Sequence, residues 1–257
     1  MAELFVSNTS LQLLALLGAG AVAGYVNVVA GGGSLLTVPL LIFLGLPETV
    51  ANGTSRVAIL TQSISATYAF ARAGKIDGPL VRRLSLPAAL GALAGAYFAA
   101  RLPDASFRAL FGWVMLGCAA LVVANPQLGR RRAADAEVPR WVASITIPAM
   151  FAIGIYAGAI QASVGYLWLA ALLFLLRMDL VRANVMKTVM TAVCTVPALA
   201  VFVWQGKVDL RFGIALSVGQ AIGAWLGAAA TLSRGERFIR AMLGFVVLVS
   251  GLKLLFG

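Results

Sequence analysis

Two cations stand where charge is hardest to bury. Arg56 and Lys187 each lie a turn or two inside a long apolar run. A charged side chain is tolerated there only if it faces protein or a water-filled cavity, or snorkels to the headgroups. Allowing one residue of shift, the two fall at equivalent places in the two halves of the chain, and paired positive charge at depth is chemistry for an anion. What is missing points the same way. All nine carboxylates, Glu3, Glu48, Asp77, Asp104, Asp135, Glu137, Asp179, Asp209 and Glu236, lie in loops or at segment ends. The buried acid through which cation pumps bind and release their ion is therefore absent. The sequence has no histidine, which removes the usual general base, the commonest metal ligand and any Ser-His intramembrane protease. The expectation is a protein that is not an enzyme, with no catalytic residues, no metal and no cofactor.

Small polar residues surround the two cations: Asn52, Thr54, Ser55, Gln62 and Ser63 in the first half, Asn184, Thr188 and Thr191 in the second. The other chemically loaded stretch is Ala30 to Leu41, where Gly31, Gly32 and Gly33 precede Ser34 inside an apolar segment. Three consecutive glycines free backbone groups that lipid cannot satisfy, so the stretch belongs beside protein or a cavity. Ser34 is placed to begin a helix whose free N–H groups and positive dipole end would face an anion. No Gly-Lys-Ser/Thr follows, which excludes a nucleotide P-loop. In the second half the same place reads Gln161, Ala162, Ser163, Val164, Gly165, so side chains are expected to replace backbone donors there. With Asn27, these residues make up the candidate substrate site: Asn27, Gly31 to Ser34, Asn52, Thr54, Ser55, Arg56, Gln62, Gln161, Ser163, Gly165, Asn184, Lys187 and Thr191.

The elements that must position these residues are membrane helices. Of 257 residues 61% are hydrophobic and 11% charged, and mean hydropathy is +0.95, outside the range of soluble domains. The net charge of +11 sits in short clusters between apolar runs rather than along one basic face, so no nucleic-acid partner is expected. Cys118 and Cys194 fall inside apolar runs and read as small core residues. The first thirty residues resemble a signal peptide, but no Lys or Arg precedes their apolar run, which reads as an uncleaved first helix.

Ten apolar runs fall into two sets of five: Leu11 to Ala30, Ser34 to Leu46, Val50 to Ala71, Leu84 to Ala100 and Phe107 to Ala124; then Val142 to Ile160, Val164 to Leu176, Ala183 to Trp204, Phe212 to Leu232 and Ile239 to Phe256. A span needs about 20 residues, and the second run of each set is shorter. Whether these two runs span or re-enter, the sequence predicts an all-α polytopic membrane protein of about eight to ten transmembrane segments. The sets also repeat: Gly74-Lys75-Ile76-Asp77 recurs as Gly206-Lys207-Val208-Asp209, Gly91 and Gly95 as Gly223 and Gly227, and Arg108 to Gly112 as Arg240 to Gly244, all 132 residues on. The glycine pairs have the spacing of close helix contact. Residues 1–124 form a first repeat, 125–140 a charged linker and 141–257 a second repeat. An odd number of crossings per repeat makes the two inverted, with a site near the midplane between them. The basic clusters at 72–83, 130–140, 177–187 and 234–240 then share one face, which the positive-inside rule makes cytoplasmic and which leaves both termini outside.

The stretch AGYVNVVAGGGSLLTVPLL (Ala23 to Leu41), with ATY (Ala66 to Tyr68), GKID (Gly74 to Asp77), Lys187, GKVD (Gly206 to Asp209) and VGQAIGAWLG (Val218 to Gly227), resembles the TauE/SafE family of sulfite and organosulfur anion permeases. The resemblance runs from about Leu11 to Phe256. It implies a bacterial inner-membrane carrier, an exporter of sulfite, sulfonates or related small anions that works without ATP, with the lipid bilayer and a small anion as partners. This chain departs from the pattern at Asn27, where many relatives carry Asp, and at Gln161 to Gly165, where they carry a Gly-rich motif. A coupling proton, homo-oligomerisation, a passive anion channel and a carrier of small carboxylates remain as alternatives at this level.

Overall fold

The computed structural model describes residues 9–107, 109 and 140–256. Glu3, Cys118, nearly all of the run beginning at Phe107, and the linker as far as residue 139 lie outside the described residues. Among the described residues the chain is helical and has no strand: α1 (Thr9–Ala30), α2 (Ser34–Phe43), α3 (Glu48–Arg72), α4 (Gly78–Ala99), α5 (Arg140–Ala159), α6 (Val164–Phe174), α7 (Leu180–Trp204) and α8 (Leu210–Phe256). Gly235, at φ 64°, breaks α8 into two limbs.

Three helices start ahead of the apolar runs that mark them, because polar caps start them earlier. Asp77 accepts a hydrogen bond from the Leu80 N–H and starts α4, well before the run at Leu84. Asp209 does the same for α8 through Phe212 N–H, and Asp179 for α7 through Arg182 N–H. Each satisfies one of the donors that a helix start leaves open. Gly74 and Gly206 take φ of 65° and 67°, the left-handed backbone that closes a helix before its carbonyls run on. The recurring Gly-Lys-x-Asp motif is thus a stop for one helix and a start for the next.

α3 and α7 are both 25 residues long. α2 and α6 have only ten and eleven residues, about 15 Å each, and so reach half-way through a core of about 30 Å. Among the described residues, three segments are long and apolar enough to cross a membrane by length and composition, Leu11–Ala30, Leu180–Trp204 and Leu210–Phe245. Burial is inverted relative to a soluble protein. Phe98, Trp204, Leu86 and Leu14 are exposed on the outside, whereas Asn52, Thr54, Ser55, Arg56 and Asn184 are wholly buried. The chain is an all-α polytopic membrane protein.

Two of the four buried apolar clusters among the described residues show how the helices pair. One joins Leu16 of α1, Val38 and Leu41 of α2, Ala51 and Ala58 of α3, and Leu216 of α8. The other joins α4, α5, α6 and α7 around Trp168, Met190 and Cys194, with Ile239 and Leu243 of the second limb of α8. Each half therefore lends its fourth helix to the other half's first. The α4 to α5 contact is so close that a Cβ on Gly91 or Gly95 would overlap the carbonyls of Phe151 and Ile155. In the α8 to α1 contact, a Cβ on Gly223 would overlap the Ala21 carbonyl. Small residues here admit backbone-to-backbone packing, as their spacing of four suggests. Cys194 is a buried packing residue whose thiol lies 3.5 Å from the Ala88 carbonyl.

Candidate functional site

The breaks between α1 and α2 and between α5 and α6 meet in the middle of the molecule. Gly31 takes φ 89° and lies directly against Gly165, with no room between them for a Cβ on either. Ser34, the first residue of α2, accepts a hydrogen bond at its Oγ from the Ser163 N–H at 3.1 Å. In the second half the glycines are gone but the left-handed backbone is not: Gln161 and Ser163 hold φ of 65° and 59°. Such angles are costly for residues with a Cβ and persist only where the surroundings enforce them.

α3 and α7 cross this centre, and each reaches into the other half. Asn52 donates its amide to the Ala159 carbonyl at the end of α5 (2.9 Å), and Asn184, 132 residues on, donates to the Val28 carbonyl near the end of α1 (2.8 Å). The two cations follow the same rule. Arg56 donates through Nη1 to the Ala157 carbonyl (3.0 Å) and Gln161 Oε1 (2.7 Å), and through Nη2 to the Gly158 carbonyl (2.5 Å). Its guanidinium stacks over Phe202, 4.6 Å from the ring centroid. Lys187 Nζ donates to the carbonyls of Asn27 (3.0 Å) and Val28 (2.9 Å). Both cations thus cover the last carbonyls of a helix, where the backbone dipole is negative. Neither snorkels: Arg56 is 0% and Lys187 2% exposed. Neither has a carboxylate partner among the described residues.

Between these crossings lies a narrow cleft lined by both polar and apolar groups, with room for about one water molecule. Of the expected site residues it brings together Asn27, Ser34, Gln62, Gln161, Gly165, Lys187 and Thr191. The N-terminal turns of α2 and α6 open onto it through Ser34 and Gly165, so two positive helix ends and one ammonium share a single small space. The others stand behind its wall. Gly31 sits against Gly165, Gly33 packs on the Ala23 carbonyl, and Gly32 is buried beside them. Ser163 braces Ser34, and Asn52 and Asn184 tie helix ends. Ser55 bonds back to the Asn52 carbonyl, and Thr54 accepts from the Asp209 N–H at 2.9 Å. Arg56 lies one residue back, behind Gln161, whose amide it orients: Oε1 faces Arg56, and Nε2 donates to Thr195 Oγ1 at 2.9 Å. The lining residues outside the expected set are Val28, Ile59, Ser63, Val164 and Thr188. Ser63 and Thr188 are among the small polar residues that surround the two cations in the sequence; the three aliphatic ones carry no chemical signal.

A model of the family described as "Sulfite exporter TauE/SafE" matches residues 16–254. The chain belongs to the TauE/SafE family. Among similar proteins, one from Sinorhizobium sp, named "Probable membrane transporter protein ORF9", is 26% identical over 97% of this chain and 95% of its own length. "Probable membrane transporter protein YfcA" of Escherichia coli K12 is 27% identical over 91% of this chain and 86% of its own. A "Probable membrane transporter protein" of Haemophilus influenzae is 25% identical over 92% of each. No solved structure matches the chain. A TauE/SafE chain with these relatives is a membrane transporter by family, which fits a narrow cleft lined by polar and apolar groups at the centre of a lipid-facing helical shell.

Proposed function

We propose that this chain is a secondary carrier of small anions, namely sulfite, sulfonates and related organosulfur oxyanions, and that it works as an exporter in the bacterial inner membrane with both termini periplasmic. The carrier alternates access by rocking two inverted repeats about the crossing of α3 and α7. One observation carries this reading: Lys187, 2% exposed and without a carboxylate partner among the described residues, lines a narrow cleft onto which the N-terminal ends of two helices open. A buried ammonium without a counter-ion is a costly arrangement, and an arriving anion relieves it. The backbone of Gly165 and Ser34 and the side chains of Gln161 and Gln62 complete the contact, while Arg56 holds Gln161 in place. The family's printed description supports sulfite as a member of the substrate class.

The test is flux in proteoliposomes across a panel of sulfite, thiosulfate, sulfonates, sulfate and small carboxylates under varied pH gradients. Saturable flux with counterflow is expected for at least one sulfur oxyanion. Lys187→Gln should lower it by roughly a hundredfold, as expected when a buried charge contact to substrate is lost, with the folded protein retained in detergent. Electrodiffusive current without counterflow would make the protein a channel, and undiminished flux in the variant would sink the role of Lys187.

A further inference from the structure

The two ends of the molecule are held shut in different ways, and the 132-residue repeat lets them be compared position by position. At the Gly206 to Asp209 turn the seal is polar and close. Thr54 Oγ1 accepts from the Asp209 N–H at 2.9 Å, and Asp104 Oδ1 accepts from both the N–H and the hydroxyl of Thr49, at 3.1 and 2.7 Å. Gly53 lies so near the Lys207 carbonyl that a Cβ would overlap it. At the Gly74 to Asp77 turn, the counterparts of Thr54, Thr49 and Gly53 are Met186, Val181 and Val185. None has a hydroxyl, and the side chain of Val185 closes off the backbone approach that Gly53 permits. Glu236, the counterpart of Asp104, pairs with Arg240 on its own helix. Apolar packing does not make up the difference, because it is matched. Leu44, Leu46, Phe212 and Leu216 pack in one cluster, and their counterparts Leu176, Met178, Leu80 and Leu84 pack in another.

What ties the Gly74 to Asp77 turn to α7 is the ion pair of Arg182 with Asp77 at 3.4 Å, whose side chains are 61% and 37% exposed. A pair so exposed is weak and is screened by salt. Both residues line a narrow crevice with Lys75, Ile76, Val185 and Met186. Val185 and Ile76 belong to the same buried cluster as Val28, and Val28 lines the central cleft. Crevice and cleft therefore share one set of aliphatic side chains. We infer that this end is the gate that yields first: Arg182 and Asp77 are its latch, and substrate passes between crevice and cleft when the cluster of Val28 and Val185 parts. The inference rests on the carrier reading above and names the side from which its site loads, which in the orientation proposed there is the cytoplasmic side that an exporter needs. Lys75 and Arg182 are the cations that an arriving anion meets, and an anion on Arg182 displaces Asp77.

Sided thiol labelling of the full chain in membrane vesicles tests this. Ser63→Cys puts a near-isosteric probe in the cleft, where Ser63 is 2% exposed, and Ile59→Cys, in the same lining, repeats the test should the first variant fold poorly. Exposed Ala73→Cys and Leu210→Cys mark the two faces. The reagent is the membrane-impermeant anion sulfonatoethyl methanethiosulfonate, and modification is read by peptide mass, so Cys118 and Cys194 stay in place. The cleft cysteine should react at least roughly tenfold faster from the Ala73 side, the bias that one or two extra buried hydrogen bonds at the other end impose on local opening. Arg182→Gln should raise that rate about twofold to fivefold, the worth of an exposed ion pair, and salt at about 1 M should do the same. Faster reaction from the Leu210 side, equal rates or no reaction from either side, or a rate unmoved by Arg182→Gln, overturns the inference; with saturable counterflow intact, the carrier reading stands. Absence of saturable counterflow for every anion overturns the carrier reading, whichever side is faster.

Discussion

Arg56 and Lys187 occupy matching sockets and do different things there. Both project from a 25-residue crossing helix and cover the final carbonyls of the other half's first helix. Arg56 has five donors in a planar fork, and its socket engages two carbonyls, the Gln161 amide oxygen and the Phe202 ring. It does not line the cavity. Lys187 has three donors, gives two to carbonyls, and stands in the cavity wall. Under the proposed function these two matching positions serve as a brace and a substrate contact, and the chemical difference between guanidinium and ammonium is what separates them.

The comparison can be broken most forcefully at the brace. Arg56→Gln should cost about 1–3 kcal/mol for each buried acceptor it leaves unpaired among the Ala157 and Gly158 carbonyls and the Gln161 amide oxygen, read as a drop in thermal unfolding temperature in detergent. Lys187→Gln should lose less stability and most of the flux. If the two variants show the same profile, brace and contact are not distinct roles. A smaller effect is expected where the two halves touch. Gly165→Ala puts a methyl group into the Gly31 backbone and should cost about 1–3 kcal/mol by overpacking, while Gly45→Ala, with open space around it, supplies the control for a strained glycine, since its φ is 94°. The smallest separates the two jobs of Asp77, which caps α4 and pairs with Arg182 at 3.4 Å. Asp77→Ala should cost about 1 kcal/mol, the value of a lost cap, and Arg182→Ala less than about 1 kcal/mol, because both partners of the pair are partly exposed. Equal losses would give the ion pair more weight than its exposure allows.

Much of the fold was readable from residues. Alternating apolar runs gave the helices, the 132-residue recurrence of Gly-Lys-x-Asp placed equivalent turns, and the shortness of two runs anticipated α2 and α6. Helix starts were misjudged at α4 because hydropathy tracks lipid contact, whereas a helix starts where Asp77 caps it. The site was half legible. Lys187, Gln62, Thr191 and Ser34 announce themselves as polar residues in apolar surroundings, and all line the cavity. Arg56, Asn52, Asn184 and Thr54 announce themselves equally and do not line it, because buried carbonyls and N–H groups at helix ends compete with substrate for polar side chains. Which partner a residue finds depends on how the halves cross, and that is a long-range property. The decay of the glycine triplet at Gln161 to Ser163 misled in another way: backbone shape outlasted the residue type that normally signals it.

The crossing also sets an order of assembly. The carbonyls that end α1 are covered by Lys187, 160 residues further along the chain, whereas those that end α5 are covered by Arg56, which is synthesised before them. An uncovered carbonyl in hydrocarbon costs several kcal/mol, so the first half enters the bilayer with an open polar end and waits, while the second half arrives to find its cap already in place. Long-range closure of that kind is slow. The N-terminal half is therefore the vulnerable intermediate of biogenesis, and α7 is the element whose insertion closes it.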